Sequence, residues 1–182
     1  MQSILLGYSR TRIDNPLIPL GKGVGWGIFA GLAATLVMDI ALISIFLIAG
    51  MPPFTCFSII GDTVARLFSL QDMAMAGTVL LGASAHYGIG PLFGAIFGAA
   101  AAKVNALRVD TWKRGVVFAV LFAEILSQPM LALTPVLLHM TASETLQWFG
   151  GSFGMHLIWG CALGFVWSRG LRLPGNSPKE SF

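Results

Sequence analysis

Residues 82–98 read GASAHYGIGPLFGAIFG, and residues 152–168 read SFGMHLIWGCALGFVWS. In the first stretch Gly82, His86, Gly90, Gly94 and Gly98 recur every four residues. In the second, Ser152, His156, Gly160, Gly164 and Ser168 do the same, rung for rung at an offset of 70 residues. A spacing of four keeps side chains on one helical face, drifting slowly round it. Neither stretch holds a charged residue, so each reads as an apolar helix with one imidazole set in a row of small residues. An imidazole in hydrocarbon needs a partner. Small residues at i−4 and i+4 clear space beside it for another helix backbone or for a flat ligand.

Working outward, 55% of the 182 residues are hydrophobic and only 10% are charged, with a mean hydropathy of +0.79. Soluble domains carry about 25% charged residues. Four stretches meet the roughly 20 residues that a bilayer crossing takes: Val24–Ala49, Thr78–Ala102, Gly115–Leu138 and Leu146–Trp167. Of the eleven lysines and arginines, only Arg66 falls between the first two spans. Arg10, Arg12, Lys22, Lys103, Arg108, Lys113, Arg114, Arg169, Arg172 and Lys179 all fall on the other side, which the positive-inside rule makes cytoplasmic, with both termini inside. The net charge of +3 follows from this bias and does not point to nucleic acid. Residues 1–21 offer only the short apolar patch Ile4–Leu6 and no cleavable signal. Cys56 in the outer loop and Cys161 in the fourth span are not placed to pair, and no Cys/His zinc spacing is present.

These features predict an all-α integral membrane protein: a cytoplasmic arm (1–23), a four-helix transmembrane domain (24–170) and a cytoplasmic tail (171–182). The outer loop, 50–77, opens on Pro52–Pro53. It then places Ile59, Ile60, Val64, Leu67 and Phe68 on one helical face, a pattern for a short helix lying in the interface or capping the bundle. The first and third spans also carry four-spaced rows: Gly23, Gly27, Gly31, Thr35 and Asp39, and Gly115, Ala119, Ala123 and Ser127. Laid together, Asp39 corresponds to Ser127 as His86 does to His156. The chain thus reads as two parallel helix pairs, a 2+2 repeat. Trp26, Trp112, Trp148 and Trp167 fall near span ends and read as interface anchors, and Trp159 as packing.

At about 1.5 Å of rise per residue, Asp39, His86, Glu124, Gln128 and His156 fall within one slab of about 10 Å near the midplane. Pro91 and Pro129 lie mid-span beside two of them and would free the carbonyls of Tyr87 and Ile125. Three chemistries suit such a set. Asp39, Glu124, His86 and His156 could pass protons or form a static polar core. His86 and His156 could be axial ligands of haem b or another tetrapyrrole. The same four residues offer carboxylate and imidazole to a metal, but the Glu-x-x-His signature of di-iron bundles is missing. A copper variant would draw on His139, Met140, Met155, Met73 and Met75. No soluble-enzyme motif is present. The Gly-rich stretch Gly88–Gly98 lies inside a span and is no phosphate cradle. The composition favours a non-catalytic membrane component, with the lipid bilayer, other membrane subunits or further copies of the chain as partners.

The second half has a recognisable order. A histidine-bearing helix is followed by a basic loop with Trp112 and Gly115, then Pro129, Leu133-Thr134-Pro135, Glu144, Gly154, His156 and Trp159. Over residues 78–170 this order resembles the YagU-like small four-helix inner-membrane proteins. That family carries the histidine of the last helix and the Leu-Thr-Pro stretch, which match His156 and Leu133–Pro135. The resemblance implies a bacterial inner-membrane protein linked to acid tolerance. It implies no reaction, cofactor or catalytic residue.

Overall fold

The structure, a computed structural model, describes residues 18–104 and 111–170. Most of the expected arm, the expected tail, and Arg10, Arg12, Arg108, Arg172 and Lys179 lie outside the described residues. Five helices make up the rest: α1 (Leu20–Ile48), α2 (Thr55–Leu67), α3 (Val79–Lys103), α4 (Trp112–Leu137) and α5 (Ala142–Gly170). Among the described residues there is no strand. By length and composition, α1, α3, α4 and α5 can each cross a membrane.

Local chemistry sets the helix ends. Thr78 and Thr111 cap α3 and α4, their hydroxyl oxygens accepting from Leu81 N at 3.2 Å and Arg114 N at 3.3 Å. Thr141 and Glu144 form a reciprocal capping box: Glu144 Oε2 accepts from Thr141 N at 2.8 Å, and Thr141 Oγ1 accepts from Glu144 N at 3.3 Å. That box starts α5 at Ala142, upstream of the expected Leu146. At the end of α4, His139 turns left-handed (φ +52°) and Met140 N donates back to Pro135 O at 3.0 Å. His139 is therefore a helix stop. Pro91, Pro129 and Pro135 lie within helices that run on through them.

α1 packs most extensively against α3, α4 against α5, and the two pairs join along α1 and α5. The small-residue rows are the seams. On α1, Gly23 meets Gly98, Gly27 meets Gly94 and Gly31 meets Gly90 of α3, backbone against backbone. The descending partner numbers make the pair antiparallel. Across the other seam Gly164 meets Gly115 and Val116, and Gly160 meets Val120. Lipid gives helices no hydrophobic reason to associate, so close van der Waals contact along such rows holds them together.

Where the pairs meet, Ala30, Ala34 and Met38 of α1, Phe97 of α3, Ala119 and Ala123 of α4, and Trp159, Leu163 and Trp167 of α5 form the core. Trp167 corrects one expectation. It is no interface anchor: it is completely buried and packs edge-on to Phe97, with ring centroids 5.8 Å apart. Its position near the helix end misled because α5 runs on to Gly170.

The outer-loop helix packs on the bundle. α2 turns Phe57, Gly61, Val64 and Ala65 inward and leaves Leu67 and Phe68 exposed. Gly61 lies against Thr78 O and Gly82 N, and Gly82 against the Phe57 carbonyl. This fit of backbone to backbone, which hydropathy does not register, docks α2 on α3 as a cap.

Candidate functional site

The α1–α3 glycine seam ends, toward α2, in a polar pair. One turn beyond Thr35, Asp39 meets His86, with Nε2 to Oδ1 3.0 Å apart. The contact is at ion-pair distance, and the Tyr87 phenol is a further polar neighbour of the carboxylate. The Asp39 side chain is 5% exposed and that of His86 19%. An ionised carboxylate so placed is costly unless a positive charge or a proton accompanies it.

The second seam carries a matching pair. Ser127 of α4 lies 3.1 Å from Nδ1 of His156 on α5. Here the imidazole meets a serine hydroxyl through Nδ1, where His86 meets a carboxylate through Nε2. His86 and His156 lie within electrostatic reach of one another. Between the seams, Trp159 Nε1 donates to Thr35 Oγ1 at 3.1 Å, and Thr35 in turn donates to Gly31 O at 2.9 Å. This indole ties α5 to α1 one turn from Asp39, a role beyond the packing that its apolar surroundings suggested.

Three further groups border the pair. Phe57 of α2 stands edge-on to the His86 ring, with centroids 5.7 Å apart. The Tyr87 phenol and the Cys56 thiol both lie within electrostatic reach of the Asp39 carboxylate. Burial first, and the Asp39 charge second, push the Cys56 thiol up to about 11.

Of the five residues singled out from depth, the structure brings Asp39 and His86 into contact and sets His156 close by. Glu124 is level with His156 in the α4–α5 register, because Val116 meets Gly164 and Val120 meets Gly160. Its carboxylate oxygens are shielded and have no hydrogen-bond partner. Gln128 is exposed on the bundle's outer surface and stands apart from the cluster. Depth fixes the level of a side chain, but one residue of helix turns it by about 100°, and this rotation separates Gln128 from Ser127. Thr35, Ser127 and Trp159 could have been found in the sequence. The first two belong to the four-spaced rows, and Trp159 follows His156 by three residues.

The space around the histidines does not suit a tetrapyrrole. The clearings at i±4 are taken up: Gly82 by Phe57 and Gly61, Gly90 by Thr35, and Gly160 by Val120. Nor do the metal-ligating residues converge: among the described residues no three of His, Cys, Asp and Glu are grouped to hold an ion. The copper set is dispersed, with His139, Met73 and Met75 all exposed. What the arrangement can do is hold a proton, shared between carboxylate and imidazole, among apolar helices. Compared with known protein families, with curated proteins and with solved structures, the chain has no match.

Proposed function

We propose that this chain is a non-catalytic, multi-pass membrane component whose working part is a buried protonatable centre, Asp39–His86, backed by Ser127–His156. One observation carries the reading: an acid and an imidazole from different helices meet at 3.0 Å inside a bundle of apolar helices. Intramembrane ionisable groups are costly to keep and mark function by default. A purely structural role is served better by the glycine seams, which hold the same helices without any charge.

The two polar pairs on equivalent rungs support descent from a duplicated helix pair. The basic residues bordering α3, α4 and α5 support an orientation with both termini in the cytoplasm. The resemblance of residues 78–170 to YagU-like proteins supports a bacterial inner membrane as its location and a role in acid tolerance. The small size, and the open glycines Gly88, Gly150, Gly151 and Gly154, which have nothing within 4 Å, suit contact with further membrane subunits or copies of the chain.

The test is an infrared pH titration of the detergent-solubilised protein. A carboxylic C=O band that appears on acidification and is missing from Asp39→Asn supports the centre. Spectra of the two proteins that coincide at every pH refute it. A second reading, a proton pathway through the bundle, draws on the shielded Glu124 carboxylate, which is level with His156. It requires a proton flux in vesicles that both Asp39→Asn and Glu124→Gln abolish.

A further inference from the structure

We propose that the Asp39–His86 centre exchanges its proton with one side of the membrane only, the side that carries α2, and that Phe57 is the cover past which the proton moves. The inference rests on reading the pair as protonatable and says how that centre is used: it reports the condition of one compartment and does not conduct between two.

The argument is one of closure in each direction. Away from α2, the α1–α3 seam is backbone on backbone from Gly31–Gly90 through Gly27–Gly94 to Gly23–Gly98. No side chain there can swing aside. A Cβ placed on Gly31 would already lie 2.5 Å from the Gly90 carbonyl oxygen. Beside that seam Thr35, Leu163 and Trp167 are fully buried, and Phe97 closes on Trp167 and on Phe122 at 5.8 and 5.4 Å. Sideways lies hydrocarbon, which offers a proton no carrier.

Toward α2 the closure is of another kind. It consists of one 13-residue helix, its Phe57 ring against His86 and its Cys56 beside Asp39. The side-chain tie between α2 and α4 is a 3.3 Å contact between the Thr63 and Thr134 hydroxyls. Gly50 and Gly77, with φ of +67° and +66°, flank the α2 segment at its two ends. Depth agrees: Asp39 lies about 7.5 Å from the middle of α1, and His86 about 7.5 Å from the middle of α3, both toward α2. The titratable groups facing the pair are Tyr87 on α3, Cys56 on α2 and His156 on α5, with Glu124 on α4 at the level of His156.

The experiment uses the full chain in vesicles of uniform orientation. The Asp39 carboxylic band, identified by its loss in Asp39→Asn, is followed after a pH step on one side at a time. The expected result is a response to a step on the α2 side and none to a step on the opposite side. Phe57→Ala should speed that response by about tenfold or more by loosening the cover. If this variant does not fold, Thr63→Val, which removes the tie to α4 together with the hydroxyl's bond to Ile59 O inside α2, takes its place and should act in the same direction. A response from the opposite side, from both sides, or at an unchanged rate in the loosened variants overturns the one-sided route while leaving a titrating centre intact. Silence from both sides removes the protonatable centre itself, and the route with it.

Discussion

Asp39 and its neighbours set the expectations at the scale of single residues. Burial, and to a lesser degree the Asp39 carboxylate, carry the Cys56 thiol from an ordinary 9.0 to about 11. A thiol raised in the folded state contributes stability that is fully present below pH 9.0 and is lost as pH climbs through about 11. Its alkylation should therefore be slow at pH 8.5 in a Cys161→Ser background, which removes the other, exposed cysteine. Adding Asp39→Asn should speed it a few-fold but leave it below the unfolded rate, because burial is the larger cause. A rate that Asp39→Asn does not change would mean that no charge stands beside the thiol. Trp159→Phe deletes the indole donor to Thr35, which keeps its bond to Gly31. That variant should cost about 1 kcal/mol in denaturant unfolding. Gln128→Leu should cost nothing, since the amide is exposed where lipid is expected. A large loss there would return Gln128 to the polar cluster.

At the scale of helices, two classes of glycine are distinguished by what surrounds them. A Cβ on Gly27 or Gly94 would run into the facing backbone, which cannot rotate away. Gly27→Ala should therefore push α1 off α3 and destabilise by about 1–3 kcal/mol. Gly88 sits in the same helix as Gly94 with nothing within 4 Å. Gly88→Ala should be neutral, or stabilising by up to about 1 kcal/mol through helix propensity. Unfolding in mixed micelles compares the two directly, and equal effects would deny the seam its role. The sequence showed these rows as rows. It did not show that Gly31 faces Gly90 while Gly88 faces outward, because a four-residue period defines a face without saying what lies against it.

For the whole molecule, the expected arrangement places the α2 segment and the α3–α4 connection on opposite sides of the membrane. Single cysteines at Gln71 and Lys103 should react with an impermeant maleimide from opposite sides, Lys103 from the cytoplasm. Labelling from one side would end the four-span topology. The sequence by itself determined the class and the scaffold. The scarcity of charge forces the long apolar stretches into lipid, and inside lipid every backbone group must be satisfied within its own helix. Span number, approximate span ends and the four small-residue rows follow from that constraint. Only the tertiary structure decided which rows mate, that α2 closes over His86, and that Asp39 finds His86 while Ser127 finds His156. Those choices depend on helix rotation and on contacts of a few ångströms between residues far apart in sequence, as with Thr35 and Trp159, 124 positions apart. Local composition carries no term for such contacts.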